Sequence, residues 1–195
     1  MNKFLTILML IGLTTGCASR LPHPELQLIS EDTYYDIVEK NSQKKQIYDG
    51  MINVLDISAT LMTTDTKRAQ VDQSARIYQW TPDQYSNEKS KNENELSRNT
   101  ELFVSFYTPE RKHDDLAKGT TKWKIFLDAG GKRYEGKAVK LKSLLAELLV
   151  MYPSHSRWGT PYKITFPVST SLIENASQIK VTFTGPVTST FIEFK

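Results

Sequence analysis

One cysteine, three histidines and nine glycines are spread through a chain of 195 residues. A lone cysteine, Cys17, excludes an internal disulfide framework. The histidines, His23, His113 and His155, form no pair at metal-ligand spacing, and neither a glycine-rich phosphate loop nor a nucleophile-elbow sequence is present. The usual sequence signatures of an enzyme are therefore missing, and no metal or other cofactor is expected. Charge of one sign is lacking too: 25 Lys and Arg face 22 Asp and Glu, a formal net charge of +3. Such a balance carries no electrostatic footprint for nucleic acid. No apolar run reaches the roughly 20 residues that a membrane-spanning helix needs.

The apolar run that does exist is short and stands at the start. Met1, Asn2 and Lys3 precede Phe4 to Leu13 (FLTILMLIGL), which leads through small residues to Cys17. A basic start followed by a short apolar core is the layout of an export signal. The sequence Leu13-Thr14-Thr15-Gly16-Cys17 resembles the lipobox of bacterial lipoproteins, with Thr14 standing where leucine is usual. The resemblance implies that Cys17 is joined to diacylglycerol and that the chain is cut after Gly16, leaving residues 1–16 as signal peptide. The partner implied first is therefore the membrane itself, reached through acylated Cys17. In a Gram-negative cell Ala18 and Ser19 after the cysteine further imply the outer membrane, facing the periplasm or the surface.

Residues 17–32 read as lipidated cysteine and extended tether, since Pro22 and Pro24 disfavour helix. Stretched out, such a tether reaches on the order of 50 Å. The region 33–99 reads as helical. Thr33 with Asp36 forms an imperfect capping box, and Ile37, Val38, Ile47, Met51, Val54, Leu55, Leu61 and Met62 recur broadly at helical spacing, which predicts a long, kinked or split helix. A second helix starts at Asp65 or Thr66. A third, Pro82 to Arg98, has the best start signal in the chain: the hydroxyl of Thr81, proline at the first position and Gln84 at the third. It is almost entirely polar, as a solvated helix is.

From Glu101 the apolar period becomes two. ELFVSFY, TKWKIFLD, KRYEGKAVKL, PYKITF, QIKVTF and STFIEF are strand-like, with Trp123, Ile125 and Leu127 sharing one face, and Asp128 to Gly131 reads as a hairpin turn. Ser143 to Met151 fits a short amphipathic helix or a buried strand. The expected fold is α+β, with amino-terminal helices followed by an antiparallel β-sandwich of immunoglobulin-like type over residues 100–195.

Two clusters offer candidate binding residues. His113 stands beside Asp114 and Asp115 in a loop, where adjacency alone supplies neither a metal geometry nor a nucleophile held against its base. His155, Arg157 and Trp158 form the second, whose aromatic and guanidinium groups suit a sugar or a carboxylate; the blander alternative has Tyr152 and Trp158 covering the edge of the core. The leading functional expectation is a non-catalytic interaction or structural module of the cell envelope, its second partner another envelope protein. A lipid or lipoprotein carrier with a cavity lined by a helix from Ile47 to Met62, and an enzyme acting on envelope polymer, are the alternatives.

Overall fold

The alternation seen after residue 100 extends further towards the amino terminus than the sequence pattern suggests. The structure, a computed structural model, describes residues 24–195; Leu13, Thr14, Thr15, Gly16 and Cys17 lie outside the described residues. The first helix, α1 (Glu31–Lys40), begins two residues before the expected start because Ser30 caps it, its hydroxyl accepting from the Thr33 amide at 3.1 Å. Glu31 and Asp32 in the first turn suit the positive end of the helix dipole. The last residues of the expected tether are thus docked. The Ile29 amide donates to Asp72 Oδ2 at 3.1 Å, and the Arg76 guanidinium donates to the Ile29 carbonyl.

The expected long helix is corrected at Asn41. Residues beyond it form an antiparallel hairpin, β1 (Ser42–Asp49) and β2 (Ile52–Met62). Gly50 and Met51 form the two-residue turn between the paired Asp49 and Ile52, and Gly50 takes the left-handed φ of +58°;. In β2 the residues Leu55, Ile57, Ala59 and Leu61 alternate into the core, so a period of two wins where a helical stripe also fitted;. The apolar helix that would have lined a carrier's cavity therefore does not form.

Next come α2 (Thr64–Tyr78), capped by Thr63, and α3 (Pro82–Leu96), which has the expected capping box. Then follow β3 (Thr100–Tyr107), β4 (Lys124–Ala129), β5 (Lys132–Glu135), β6 (Lys137–Lys140), α4 (Leu145–Met151), β7 (Thr160–Phe166), α5 (Thr170–Glu174), β8 (Ile179–Thr184) and β9 (Ser189–Phe194). The ambiguous leucine run at 143–151 is thus mainly helix. Between β4 and β5 the turn at Gly130 and Gly131, with φ of +57° and +74°, is the predicted one.

Two antiparallel sheets result, ordered β1-β2-β3-β7-β6 and β5-β4-β8-β9. They share one core, with Leu102, Val104, Phe106, Ile164 and Phe166 from the first sheet and Ile125, Leu127, Val181 and Phe183 from the second. Because β1 and β2 belong to the larger sheet, a boundary at residue 99 falls inside a sheet, and residues 100–195 do not hold the sandwich alone. The other face of the larger sheet carries helices. Met62 and Phe103 pack against Leu148 of α4, and α1 joins α2 through Tyr34, Val38 and Ala69. The polar α3 packs on α2, with the Tyr85 hydroxyl donating to Asp72 Oδ1 at 2.7 Å.

Gly136 alone separates β5 from β6, so the chain passes from one sheet to the other across a single residue. A side chain there would put Cβ 2.7 Å from Ile164 Cγ2, a clash that only glycine avoids.

An ionic clasp holds the helical layer to the larger sheet. Glu101 of β3 receives Lys67 of α2 at 2.9 Å and Lys163 of β7 at 3.2 Å, with only 12% of its side chain exposed. Burial pushes the Glu101 carboxyl up, but the two ammoniums together pull it below its ordinary value of 4.5;. With the folded value depressed, the stabilisation is present above the ordinary value and is lost as pH falls through the folded one. Glu101→Gln should cost about 3 kcal/mol at neutral pH, as loss of one member of a buried ionic cluster does. Urea denaturation at pH 7 and at acid pH checks this: the difference between wild type and variant should shrink on acidification.

Candidate functional site

The loop between α4 and β7 carries three of the four candidate binding residues, and the structure separates their roles. Tyr152 ends α4 with its ring stacked on Phe103, centroids 3.6 Å apart and planes 4° from parallel, and its hydroxyl accepts from Gln70 of α2 at 2.7 Å. The chain then turns back, the His155 amide donating to the Tyr152 carbonyl at 2.9 Å. This brings the His155 imidazole edge-on to Phe103 and sets its Nδ1 2.8 Å from Ser105 Oγ. Ser105 also accepts from the Ser156 amide at 3.1 Å. Gly159 completes the turn where a side chain would strike that same hydroxyl.

A serine hydroxyl within hydrogen-bond reach of an imidazole is the first half of a nucleophile–base pair. Here the serine is 2% exposed and the histidine 6% exposed, closed over by the loop itself. Both side chains are buried, and their hydrogen bonds pin the loop to β3. Burial disfavours the imidazolium and lowers the pKa of His155 below its ordinary 6.5;.

His113 belongs to a different part of this end of the molecule. It closes a 3-10 turn, Arg111–His113, and its carbonyl accepts from Trp123 Nε1 at 2.8 Å. Its Nε2 lies 3.7 Å from Glu110 Oε2. The neighbouring acids are also engaged. Asp114 accepts from the hydroxyl of Thr160 and, at 3.0 Å, from that of Tyr162, while Asp115 accepts from Thr121 Oγ1 at 3.1 Å. Asp114 thereby ties this loop to the start of β7, beside the His155 loop. Among the described residues no group of three or more His, Cys, Asp or Glu side chains could hold a metal ion.

Trp158 does not cover the core edge, where the blander alternative put it beside Tyr152. It is 77% exposed, and the adjacent Arg157 is exposed and makes no hydrogen bond or ion pair among the described residues. A second exposed apolar group stands at the same end of the larger sheet. The last residue of β3, Tyr107, pairs with Asp56, so the turn and the pairs Asp49–Ile52, Tyr48–Asn53 and Ile47–Leu55 project beyond β3. At their tip Met51 is 99% exposed, with Ile52 and Tyr48 beside it also open to water. Since Phe106 pairs with Thr160, β7 begins where β3 ends, and Arg157 and Trp158 belong to this end as well.

The candidate site is therefore a surface rather than a pocket. Tryptophan, tyrosine, methionine and arginine are the side chains enriched where proteins meet. The hairpin tip was missed in the sequence because its residues read as part of a helical stripe; Gly50 was the signal that would have found it. The Ser105–His155 pin carried no such signal, being a contact across 50 positions.

No protein-family model, curated protein or solved structure matches the chain.

The His155 pin makes stability depend on pH. Its folded pKa is depressed, so the unfolded chain takes up the proton first; the stabilisation is complete above 6.5 and is lost as pH falls through the folded value;. Denaturation midpoints measured from about pH 8 down to pH 5 should fall for wild type and vary less for His155→Asn, which keeps a hydrogen-bonding group but cannot titrate. Equal slopes would remove His155 as the source.

Proposed function

We propose that the protein is a lipid-anchored lipoprotein of the cell envelope that acts by contact, as a non-catalytic interaction module. The anchor rests on the lipobox-like sequence ending at Cys17. Contact as the mode of action rests on one observation above all: the hairpin tip carries Met51 at 99% exposure, beside Ile52 and Tyr48, at the sheet end that also bears Trp158 and Arg157. Apolar side chains held out on a rigid, paired hairpin are costly to leave in water and gain from a partner that covers them. The partner this surface suits is another envelope protein.

No helix among the described residues is long and apolar enough to cross a membrane; attachment through acyl chains rests on the sequence ending at Cys17. One chain gives reversible binding and two or more give stable anchoring. Ala18 and Ser19 favour the outer membrane if the cell is Gram-negative. The immunoglobulin-like reading of the sandwich is part of the same proposal; its support is the all-antiparallel pairing and the buried Trp123, packed edge-on to Phe106 between the sheets;.

Two measurements test the two halves. Metabolic labelling with a fatty-acid analogue should mark the wild-type protein and leave Cys17→Ser unmarked and uncut; equal labelling of both would end the lipoprotein assignment. A photo-crosslinking residue placed at Met51 in intact cells should give one discrete adduct with another envelope protein, and the same residue at Lys89 on the polar α3 should give none. Crosslinking from Met51 to solvent alone, in cells that show the protein's phenotype, would count against contact through the hairpin.

A further inference from the structure

A second exposed apolar surface lies on the helical layer, and the hairpin contact leaves it unused. Helix α4 turns Leu148 and Met151 inward, where Leu148 meets Met62 and Phe103. Its other side presents Leu145 at 40% and Leu149 at 41% exposure, and Leu144, which caps it, is 77% exposed. Tyr78, at the end of α2, is also exposed and donates its hydroxyl to Glu147 of α4, joining the two helices at this surface. Gln79 takes a left-handed turn after it, with φ of 52°, and Trp80 comes back to stack against Tyr78.

Two cations border this surface where β6 leads into it, and one acid, Glu147, lies within it. Lys140, the last residue of β6, and Lys142, between β6 and α4, are exposed and make no ion pair among the described residues. The acid within the patch, Glu147, is engaged by Tyr78. Leucines at the centre, a tyrosine beside a tryptophan, and free ammoniums close by are the composition of a segment that lies in the headgroup layer of an anionic membrane.

The point where the chain enters the fold supplies the second argument. Ile29 is held by Asp72 and Arg76 of α2, and Tyr78 follows Arg76 by two residues on that helix. The tether therefore joins the fold on the helix whose end forms this patch. Twelve residues from Cys17 to Ile29 span at most about 40 Å. A patch too weak to bind membrane unaided becomes effective when an anchor keeps it within that distance.

We propose that the Leu144–Leu145–Leu149 face of α4, with Tyr78, Lys140 and Lys142, rests on the anionic lipid surface to which the protein is anchored, fixing how the domain stands on the membrane. The proposal depends on the lipid anchor at Cys17. Acyl chains localise the protein, and the patch orients it.

The test uses the full lipidated protein reconstituted into vesicles. Cys17 is the only native cysteine, and its thiol is consumed by acylation in the proposed form, so a cysteine introduced at Leu145 can be labelled alone with an environment-sensitive fluorophore. The control is Phe191→Cys, on the outer face of the second sheet. On phosphatidylcholine vesicles containing phosphatidylglycerol, the probe at 145 should shift to the blue and be quenched by spin-labelled lipid, while the probe at 191 stays water-like. Adding Lys140→Glu and Lys142→Glu should abolish the shift without detaching the protein.

A water-like probe at 145 on anchored protein overturns the proposal. So does an equal response on phosphatidylcholine alone, which would remove the recognition of anionic lipid. Shielding of position 145 before any vesicle is added would mean that the chain covers its own patch, and shielding only in native envelopes would mean a protein partner; both overturn it. Failure of the anchor reads differently: the wild-type chain would itself take the label at Cys17 and would lack the mass of the acyl chains.

Discussion

The alternation of β3 is the constraint on which both layers of the molecule depend. Leu102, Val104 and Phe106 point between the sheets and are wholly buried there. The intervening residues face the helices, and each secures a different piece of them: Glu101 clasps Lys67 of α2, Phe103 takes the ring of Tyr152 after α4, and Ser105 pins the loop of His155. A strand period of two thus sends successive residues to two unrelated tasks. A shift of one residue in the register would exchange them, placing a carboxylate and a serine in the sandwich core and the core's aliphatic side chains beneath charged helices.

How much of this is legible in the sequence follows from the range of the interactions. The capping box of α3 is written within four residues, from Thr81 to Gln84, and is legible there. The same holds for the paired glycines before β5 and for the shared face of Trp123, Ile125 and Leu127. The first hairpin is ambiguous in the sequence because Ile47, Met51, Val54 and Leu55 satisfy a helical stripe as well as a strand, and the pairing of β1 with β2, and of β2 with β3, decides between them. Local pattern is ambiguous there, and a neighbour 39 to 51 positions away resolves it;.

The candidate site was legible in part. Arg157 and Trp158 remain candidates as exposed groups, whereas His113 and His155 are largely used by the fold. His155 lies beneath the loop and His113 serves mainly through its backbone carbonyl. Residue chemistry read from a sequence identifies what a side chain could do; exposure, which depends on the whole chain, determines what it is left free to do. That is why Met51, one residue of an apparent helical stripe, is the most solvent-open large apolar side chain among the described residues.

The crossing at Gly136 bears on how many copies of the protein can share a surface. Each sheet ends on this side in a strand of only four residues, and those strands carry Lys132, Arg133, Lys137 and Lys140. Short borders studded with cations resist pairing with the border of another molecule, since the ladder would be brief and the like charges would face one another. For molecules gathered on one bilayer, as the proposed anchor would gather them, encounters in two dimensions are frequent and end-on growth of sheets is a standing hazard. The crossing at Gly136 therefore does more than close the sandwich: on this side it leaves each sheet only a short, cation-bearing border.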